Sequence, residues 1–285
     1  MTDPRSTIPF ERLPKDFAKT LEHPPESPAL AHPSATLVLM RAGADALEVL
    51  LLRRVRTSGF VPGAFVFPGG RVDPDDALPP LLDRLDGLTA ERAAARLGLG
   101  PEAEPPAIAY YVAALREAFE ETGLLVGRDR GGLPARCAAG DPTTRKLLSK
   151  LRADEDRFPS VLDRLGCRME GGAVEYIGHW ITPVVEPRRY DTRFFAAAVS
   201  QGQEALIHEA ELSEAVWLTP AEALELNVRG ALPMVFPTIR TLESLLAFDA
   251  PKGVLEAFRD REIPTILPKL VSTPRGVGME LPRQG

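Results

Sequence analysis

Residues 106–124 constrain this chain more than any other stretch. Ile108, Val112, Leu115 and Phe119 recur at the spacing of an α-helix and give it an apolar stripe to bury. Glu117, Glu120 and Glu121 stand at i, i+3 and i+4, so they share one face away from that stripe. Arg116 directly precedes them, and Gly123 is placed to stop the helix. Like charges at this spacing repel and weaken a helix. A divalent cation removes the repulsion, and hard carboxylate oxygens suit Mg²⁺ or Mn²⁺. A solvated acidic face is the plain alternative, and the helix alone does not decide between them.

A second stretch bears on that choice. Residues 63–73 read as a short apolar strand running into a Pro68-Gly69-Gly70 turn. A glycine pair lets the backbone approach a ligand closely and take up positive φ. Together the two stretches resemble the Nudix box, G-x5-E-x7-R-E-U-x-E-E-x-G-U with U aliphatic. Its second half is matched by Arg116, Glu117, Ala118, Glu120, Glu121, Gly123 and Leu124, with Ala118 a small apolar residue at the U site. Gly70 opens the first half. Where the family then has Glu this chain has Asp76, and an insertion separates the two halves. Asp76, or Glu104 within the insertion, is left to supply the missing acid.

A Phe-Pro-Gly-Gly turn followed by an interruption looks like the Nudix subgroup that contains the peroxisomal coenzyme A diphosphatases. Residues 180–183 with 188–195 look like that subgroup too, as do residues 211–218 with Pro220. The resemblance implies an α/β fold, a Nudix-type α/β/α sandwich with a mixed sheet. It also implies a helical insertion within the box and a helical C-terminal extension. The expected organisation is a Pro-rich arm at 1–34, a Nudix domain at 35–220 with insertions at 77–105, which is expected to loop out, and at 128–170, and a helical extension at 221–285.

The activity implied is metal-dependent hydrolysis of a pyrophosphate linkage in a nucleoside diphosphate joined to another group. Coenzyme A or an acyl form of it comes first, and nucleotide sugars or dinucleotides follow. A non-catalytic module that senses a nucleotide is the second class, disfavoured because all three helix carboxylates are present. On this resemblance Glu117, Glu120, Glu121 and the Gly69 carbonyl hold Mg²⁺ or Mn²⁺. Glu117 is a ligand or a general base, and Arg116 orients a carboxylate. A further acid comes from a loop, Glu209 or Glu211, and the spacing to Trp217 favours Glu211. Gly70, Arg188, Arg189 and Arg193 meet the substrate, since guanidinium forks match phosphate oxygens. A salt-bridged strand entry involving Asp191 is the alternative for the arginines. Arg53, Arg54 and Arg56 carry the same ambiguity, His208 reads as a surface residue, and Trp180 and Trp217 read as core.

Composition agrees. The chain has 285 residues, 44% hydrophobic and 26% charged, which is ordinary for a globular protein. Its 34 basic and 40 acidic residues leave a net charge of -6, so there is no basic footprint for nucleic acid. Cys137 and Cys167 fit no metal or disulfide framework. No apolar run approaches the roughly 18 residues of a membrane span, and the termini carry neither a signal peptide nor a peroxisomal address. A cytoplasmic protein without membrane partners is expected, and a homodimer is left open. Strands are expected at 35–40, 47–53, 175–183 and 192–199, and another ending at 218. Helices are expected at 89–97 with Thr89 as N-cap, at 106–121, from Pro220 to 226 and at 238–248. Residues 141–165 read as a charged, helical, lid-like excursion.

Overall fold

The computed structural model describes residues 25, 27–57, 62–135, 141–201, 203–274 and 276–281. Cys137 and most of the expected arm at 1–34 lie outside the described residues. The first half contains β1 (Ala31–Ala42), β2 (Leu47–Arg54), β3 (Phe65–Val66), β4 (Gly69–Arg71), α1 (Pro79–Leu82), β5 (Leu85–Asp86), α2 (Ala90–Leu97) and α3 (Ala107–Thr122). Then come β6 (Gly127–Asp129), α4 (Pro142–Arg152), α5 (Phe158–Leu165), β7 (Cys167–Glu170), β8 (Glu175–Ile181), β9 (Arg189–Ala198) and β10 (Leu212–Leu218). The C-terminal part holds α6 (Pro220–Val228), α7 (Phe236–Leu245), α8 (Pro251–Phe258), β11 (Thr265–Ile266), β12 (Lys269–Thr273) and β13 (Gly276–Glu280).

The main sheet runs β10-β2-β1-β9-β8-β11, with β3 on β2 and β4 on β1. It is mixed: β1–β9 and β8–β11 pair in parallel, while β1–β2, β2–β10 and β8–β9 are antiparallel. β1 begins at Ala31, ahead of the expected strand, because its parallel register with β9 starts there, Ala31 opposite Arg189. Both faces of the central strands are covered, which is why β1 and β2 read as nearly unbroken apolar runs. Leu37, Leu39, Leu50, Leu52 and Phe195 pack with α3 on one face. Val38, Met40, Val49, Leu51 and Phe194 pack with Leu242, Leu245, Val254 and Phe258 of α7 and α8 on the other. The result is the expected α/β/α sandwich. After Phe258 the extension returns to strand: β11 joins the sheet edge beside β8, and β12 and β13 form a hairpin.

α3 is more deeply set than an amphipathic stripe implies. Its first half is buried all round, from Ala107 through Leu115. Five alanines in the helix (Ala107, Ala109, Ala113, Ala114 and Ala118) let neighbours approach from every side. Those neighbours include the two excursions, and this corrects their expected character. Residues 77–105 do not loop out: Leu81, Leu85, Ala93 and Leu97 join the α3 core, and Arg96 donates to the carbonyls of Tyr176 (2.9 Å), Phe258 (2.5 Å) and Arg261 (2.8 Å). Residues 141–165 are two helices rather than a lid. Leu147, Leu148 and Leu151 of α4 and Phe158, Val161 and Leu162 of α5 are buried, and the Phe158 and Phe119 rings lie 5.5 Å apart.

A small sheet, β5-β7-β6, joins the two excursions. Forked ion pairs flank it, Arg84 to Asp163 at 2.6 and 2.8 Å and Arg168 to Asp86 at 2.7 and 2.8 Å. α2 is capped by Thr89 and α6 by a Thr219–Glu222 capping box, as their sequences suggest. Trp180 is core, meeting Phe236 edge-on at 5.7 Å, and Trp217 is partly buried beneath the Arg41 guanidinium at 4.4 Å. Among the described residues no helix is long and apolar enough to cross a membrane.

The Gly69–Gly70 pair is not an open turn. It lies in β4, antiparallel to β1, with Gly69 opposite Thr36 and Gly70 opposite Ala35. A Cβ on Gly69 would sit 2.4 Å from the Ala35 carbonyl oxygen and 2.7 Å from Thr36 Cα, both backbone. Gly69→Ala therefore has to move a strand, and we expect it to lose about 1–3 kcal/mol, the range of core overpacking. A Cβ on Gly70 would meet only the flexible end of Glu117, its Cδ 2.4 Å away. Gly70→Ala should keep nearly all of its stability in urea unfolding. Equal losses in the two variants would contradict this account of the strand.

Candidate functional site

The site is built where β4 runs beside the C-terminal half of α3. α3 stops at Gly123, whose φ of 71° closes the last turn with its N–H on the Phe119 carbonyl at 2.7 Å. Within its last two turns, Glu121 is buried while Glu117 and Glu120 are partly exposed. The Gly69 N–H donates to Glu121 Oε2 at 3.0 Å, and Glu117 lies against Gly70. The two halves of the interrupted box thus meet in space. The contact that Gly69 makes with the acids is through its amide rather than its carbonyl. Gly70 is needed because the Glu117 carboxylate fills the space a side chain would take.

Arg116 bridges three of the acids. Its Nε and Nη2 donate to Asp76 at 2.7 and 3.0 Å, a bidentate pair, and its Nη1 donates to Glu117 (2.9 Å) and Glu120 (3.0 Å). Nη2 also reaches the Arg71 carbonyl at 3.1 Å. Burial opposes the charge on this guanidinium, but Asp76, Glu117 and Glu120 outweigh it and hold its pKa above the ordinary value. Asp76 is fully buried, and its other contact is with the Asp73 N–H at 2.7 Å. Asp76 therefore takes the place of the box's first acid, while Glu104 is exposed near the end of the excursion. The spacing pointed to Asp76, and its shorter side chain left Glu104 as the alternative. What separates them is the short helix at Pro74–Ala77, whose capping box turns Asp76 inward.

Burial governs the electrostatics of the acids. It pushes Glu120 up to about 7 against the pull of Arg116. It pushes Glu121 up to about 8, helped by the Glu117 charge and opposed by the Gly69 N–H and by Arg54. Glu117 is raised for the same first reason. Glu211, exposed on the loop before β10, adds its charge to the field at Glu117 and Glu121, which favours it over Glu209 as the loop acid. His208 lies 3.9 Å from Glu211, and its N–H reaches the Glu121 carbonyl at 3.2 Å.

No three His, Cys, Asp or Glu side chains among the described residues already form a metal cage. In this arrangement Arg116 and the Gly69 amide engage the carboxylates instead. The donor chemistry nonetheless fits a hard divalent cation. Three carboxylates share a largely desolvated corner, where the Glu117 charge adds to burial in raising Glu120 and Glu121, and a cation relieves such repulsion.

The three arginines of the β9 entry separate. Arg188 is exposed. Arg189 is buried and donates to the carbonyls of Thr182 (3.1 Å) and Ala29 (2.8 Å), which ties the strand's start to the chain ahead of β1. Arg193 is buried over the Tyr110 ring at 4.4 Å and donates to Asp191 at 2.9 Å, while its Nε meets no partner among the described residues. Asp191 also meets His179 Nε2 at 2.5 Å, so the salt-bridged strand entry exists, built on Arg193 and His179. Arg53 pairs with Glu214 at 3.5 Å, and Arg54 turns its charge toward Glu121. Sequence reading missed Arg152, whose guanidinium lies behind the end of α3 and contacts only backbone oxygens. Such contacts leave no mark in a motif.

This geometry, a split carboxylate helix closed on a Gly-Gly strand, is that of a Nudix protein. Residues 29–245 match the family described as the NUDT19 Nudix domain, and the chain belongs to that family. It is 30% identical over 211 residues to an acyl-coenzyme A diphosphatase NUDT19 of Xenopus laevis, covering 62% of this chain and 54% of that protein. The human protein of the same name is 29% identical over 212 residues, covering 64% of this chain and 56% of that one. The chain thus spans little more than half the length of these two relatives. A solved NUDIX hydrolase from Alicyclobacillus acidocaldarius is 33% identical with a TM-score of 0.66, covering 80% of this chain and 96% of that one.

The raised acids predict how stability varies with pH. A carboxyl whose pKa is raised on folding stabilises the fold fully below its unfolded value, near 4.5, and loses that contribution as pH rises through its folded value. In chelator, the melting temperature should fall between about pH 5 and pH 8, where the unfolded chain has released the protons that Glu120 and Glu121 still hold in the fold. Glu121→Gln should flatten that fall, and Mg²⁺ should offset it. A melting temperature that climbs across this window, or an unchanged slope in Glu121→Gln, would count against the burial argument.

Proposed function

We propose that the chain is a metal-dependent pyrophosphohydrolase acting on a nucleoside diphosphate joined to another group, with coenzyme A or an acyl form of it as the leading substrate. The observation that carries the reading is the meeting of Glu117 and Glu121 with the Gly69–Gly70 strand, with Glu120 drawn in by Arg116 and the whole locked by the Arg116–Asp76 pair. The relatives named acyl-coenzyme A diphosphatases support the substrate class. Mg²⁺ or Mn²⁺ held by Glu117, Glu120 and Glu121 would neutralise pyrophosphate oxygens and acidify a water.

The protein's own part is positioning. Arg116 holds Glu117 and Glu120 on one nitrogen and favours their charged forms against burial. Glu211, facing the same acids from the loop, takes the proton of the attacking water. Arg188 meets a terminal phosphate of the substrate at the exposed end of β9. The sensing module is the weaker reading because no helix carboxylate is missing.

A panel of diphosphate-linked nucleotides incubated with Mg²⁺, with products identified by mass, tests the assignment. Coenzyme A or acyl-coenzyme A should be cleaved at the pyrophosphate, whereas turnover of nucleotide sugars or dinucleotides alone would move the substrate class. Glu120→Gln and Glu121→Gln should each lower kcat by at least about 10², the loss expected when a group that stabilises transition-state charge is removed. Both should fold, since the amide introduced by Glu121→Gln keeps an acceptor for the Gly69 N–H. Arg188→Ala should raise KM for coenzyme A more than for its analogue lacking the 3′-phosphate. Full activity in excess chelator would remove the metal reading.

A further inference from the structure

We propose that Arg152 is a positioning residue that sets the Glu211 loop against the carboxylates of α3, so that the second excursion serves as a brace for the site. The inference rests on the metal-dependent reading above. The last carbonyls of a helix have no partner within it. At the end of α3, Arg152 Nε donates to the Glu120 carbonyl at 2.7 Å and Nη2 to the Glu121 carbonyl at 3.2 Å. The same guanidinium donates through Nη1 to the Ile207 carbonyl at 3.1 Å and through Nη2 to the Leu206 carbonyl at 2.5 Å. One side chain thus spans two carbonyls on the acid-bearing helix and two on the segment leading to Glu211.

Backbone contacts run alongside it. The Leu206 N–H donates to the Thr122 carbonyl at 2.7 Å, and the His208 N–H to that of Glu121 at 3.2 Å. The Glu211 N–H then closes a turn on the His208 carbonyl at 2.9 Å, and the Val55 N–H fixes the Glu211 carbonyl at 2.9 Å. The loop is thus tied at both ends, to α3 by its backbone amides and to the end of β2 through Val55 and the Leu212–Arg54 pairing. The guanidinium adds a second line of contact to α3, on the carbonyls of Leu206 and Ile207.

Its own base is firm, because Leu147, Leu148 and Leu151 anchor α4 in the core. Only a planar fork with several donors can serve four carbonyls at once, so a lysine at this position keeps the charge but loses the brace. The charge itself faces Glu120, Glu121, Glu209 and Glu211.

The test uses the full chain and reads Mn²⁺ binding by electron paramagnetic resonance, beside thermal unfolding and hydrolysis of the substrate panel. Arg152→Ala and Arg152→Lys should each weaken Mn²⁺ binding by roughly 10- to 100-fold, as loss of an outer partner does, because a displaced Glu211 no longer adds its charge to the field at Glu117 and Glu121. kcat should fall by a similar factor, with KM for the organic substrate little changed. In a Glu211→Gln background either change should add almost nothing, because the residue acts through that loop. If Arg152→Ala does not fold, the Lys variant and its double mutant carry the comparison. The proposal is overturned by a lower melting temperature with unchanged Mn²⁺ affinity and kcat. It is likewise overturned by full rescue with Lys, or by losses that multiply in the double mutant. Wild type that binds no Mn²⁺ removes the metal reading together with this inference. Wild type that binds Mn²⁺ but cleaves nothing on the panel removes the substrate class alone and leaves the binding comparison decisive.

Discussion

The site hangs on one guanidinium. Arg116 bonds the buried carboxylate of Asp76 through two nitrogens and two acids of its own helix through the third. Asp76 is fully buried, so removing either partner would leave an uncompensated charge, a loss of about 3–5 kcal/mol in comparable pairs. The pair also closes the first excursion at its base, where the chain leaves β4 and before it returns as α3. An interruption of the motif is tolerable because this contact restores in space the adjacency that the sequence has lost.

Two consequences follow for the architecture. First, the excursions cannot be free loops, because strands from both pair in one small sheet and the core runs through both. Second, α3 cannot present only one face inward. With the sheet below it and the excursions around it, the helix is enclosed in its first half and emerges only near the acids. That enclosure desolvates Glu117, Glu120 and Glu121 and raises their pKa values, so packing sets the chemical character of the site.

The parts of this fold that were legible in the sequence are those specified locally. The 3.6-residue period placed α3, Gly123 marked its end, and Thr89 marked the start of α2. The acids at i, i+3 and i+4 and the Gly69–Gly70 pair marked the two sides of the site. Features decided by tertiary contact were not legible. The early start of β1 depends on its partner β9, and the return to strand after Phe258 depends on an available sheet edge at β8. The clustered arginines of residues 188–193 read alike in sequence, yet strand alternation and neighbouring carbonyls separate them. Arg189 ends on backbone oxygens, Arg193 on an aromatic ring and an aspartate, and Arg188 at the surface.

Where an insertion falls in such a fold decides what it can do. The first enters between the two halves of the motif and returns beside α3, so its base must rebuild the site, which Asp76 does. The second enters after α3 has ended, beside the carbonyls that the helix leaves unpaired, so its natural contact is with backbone rather than with acids. A side chain reaching that end meets partial negative charge, which favours a cation. Arg152 is such a cation, and the loop it also grips carries Glu211, whose charge adds to the field at Glu117 and Glu121. The two excursions thus act on the same carboxylates from opposite ends, one by a buried ion pair and the other by a fork on backbone oxygens. Substitutions in either can therefore alter the site without touching any of its carboxylates.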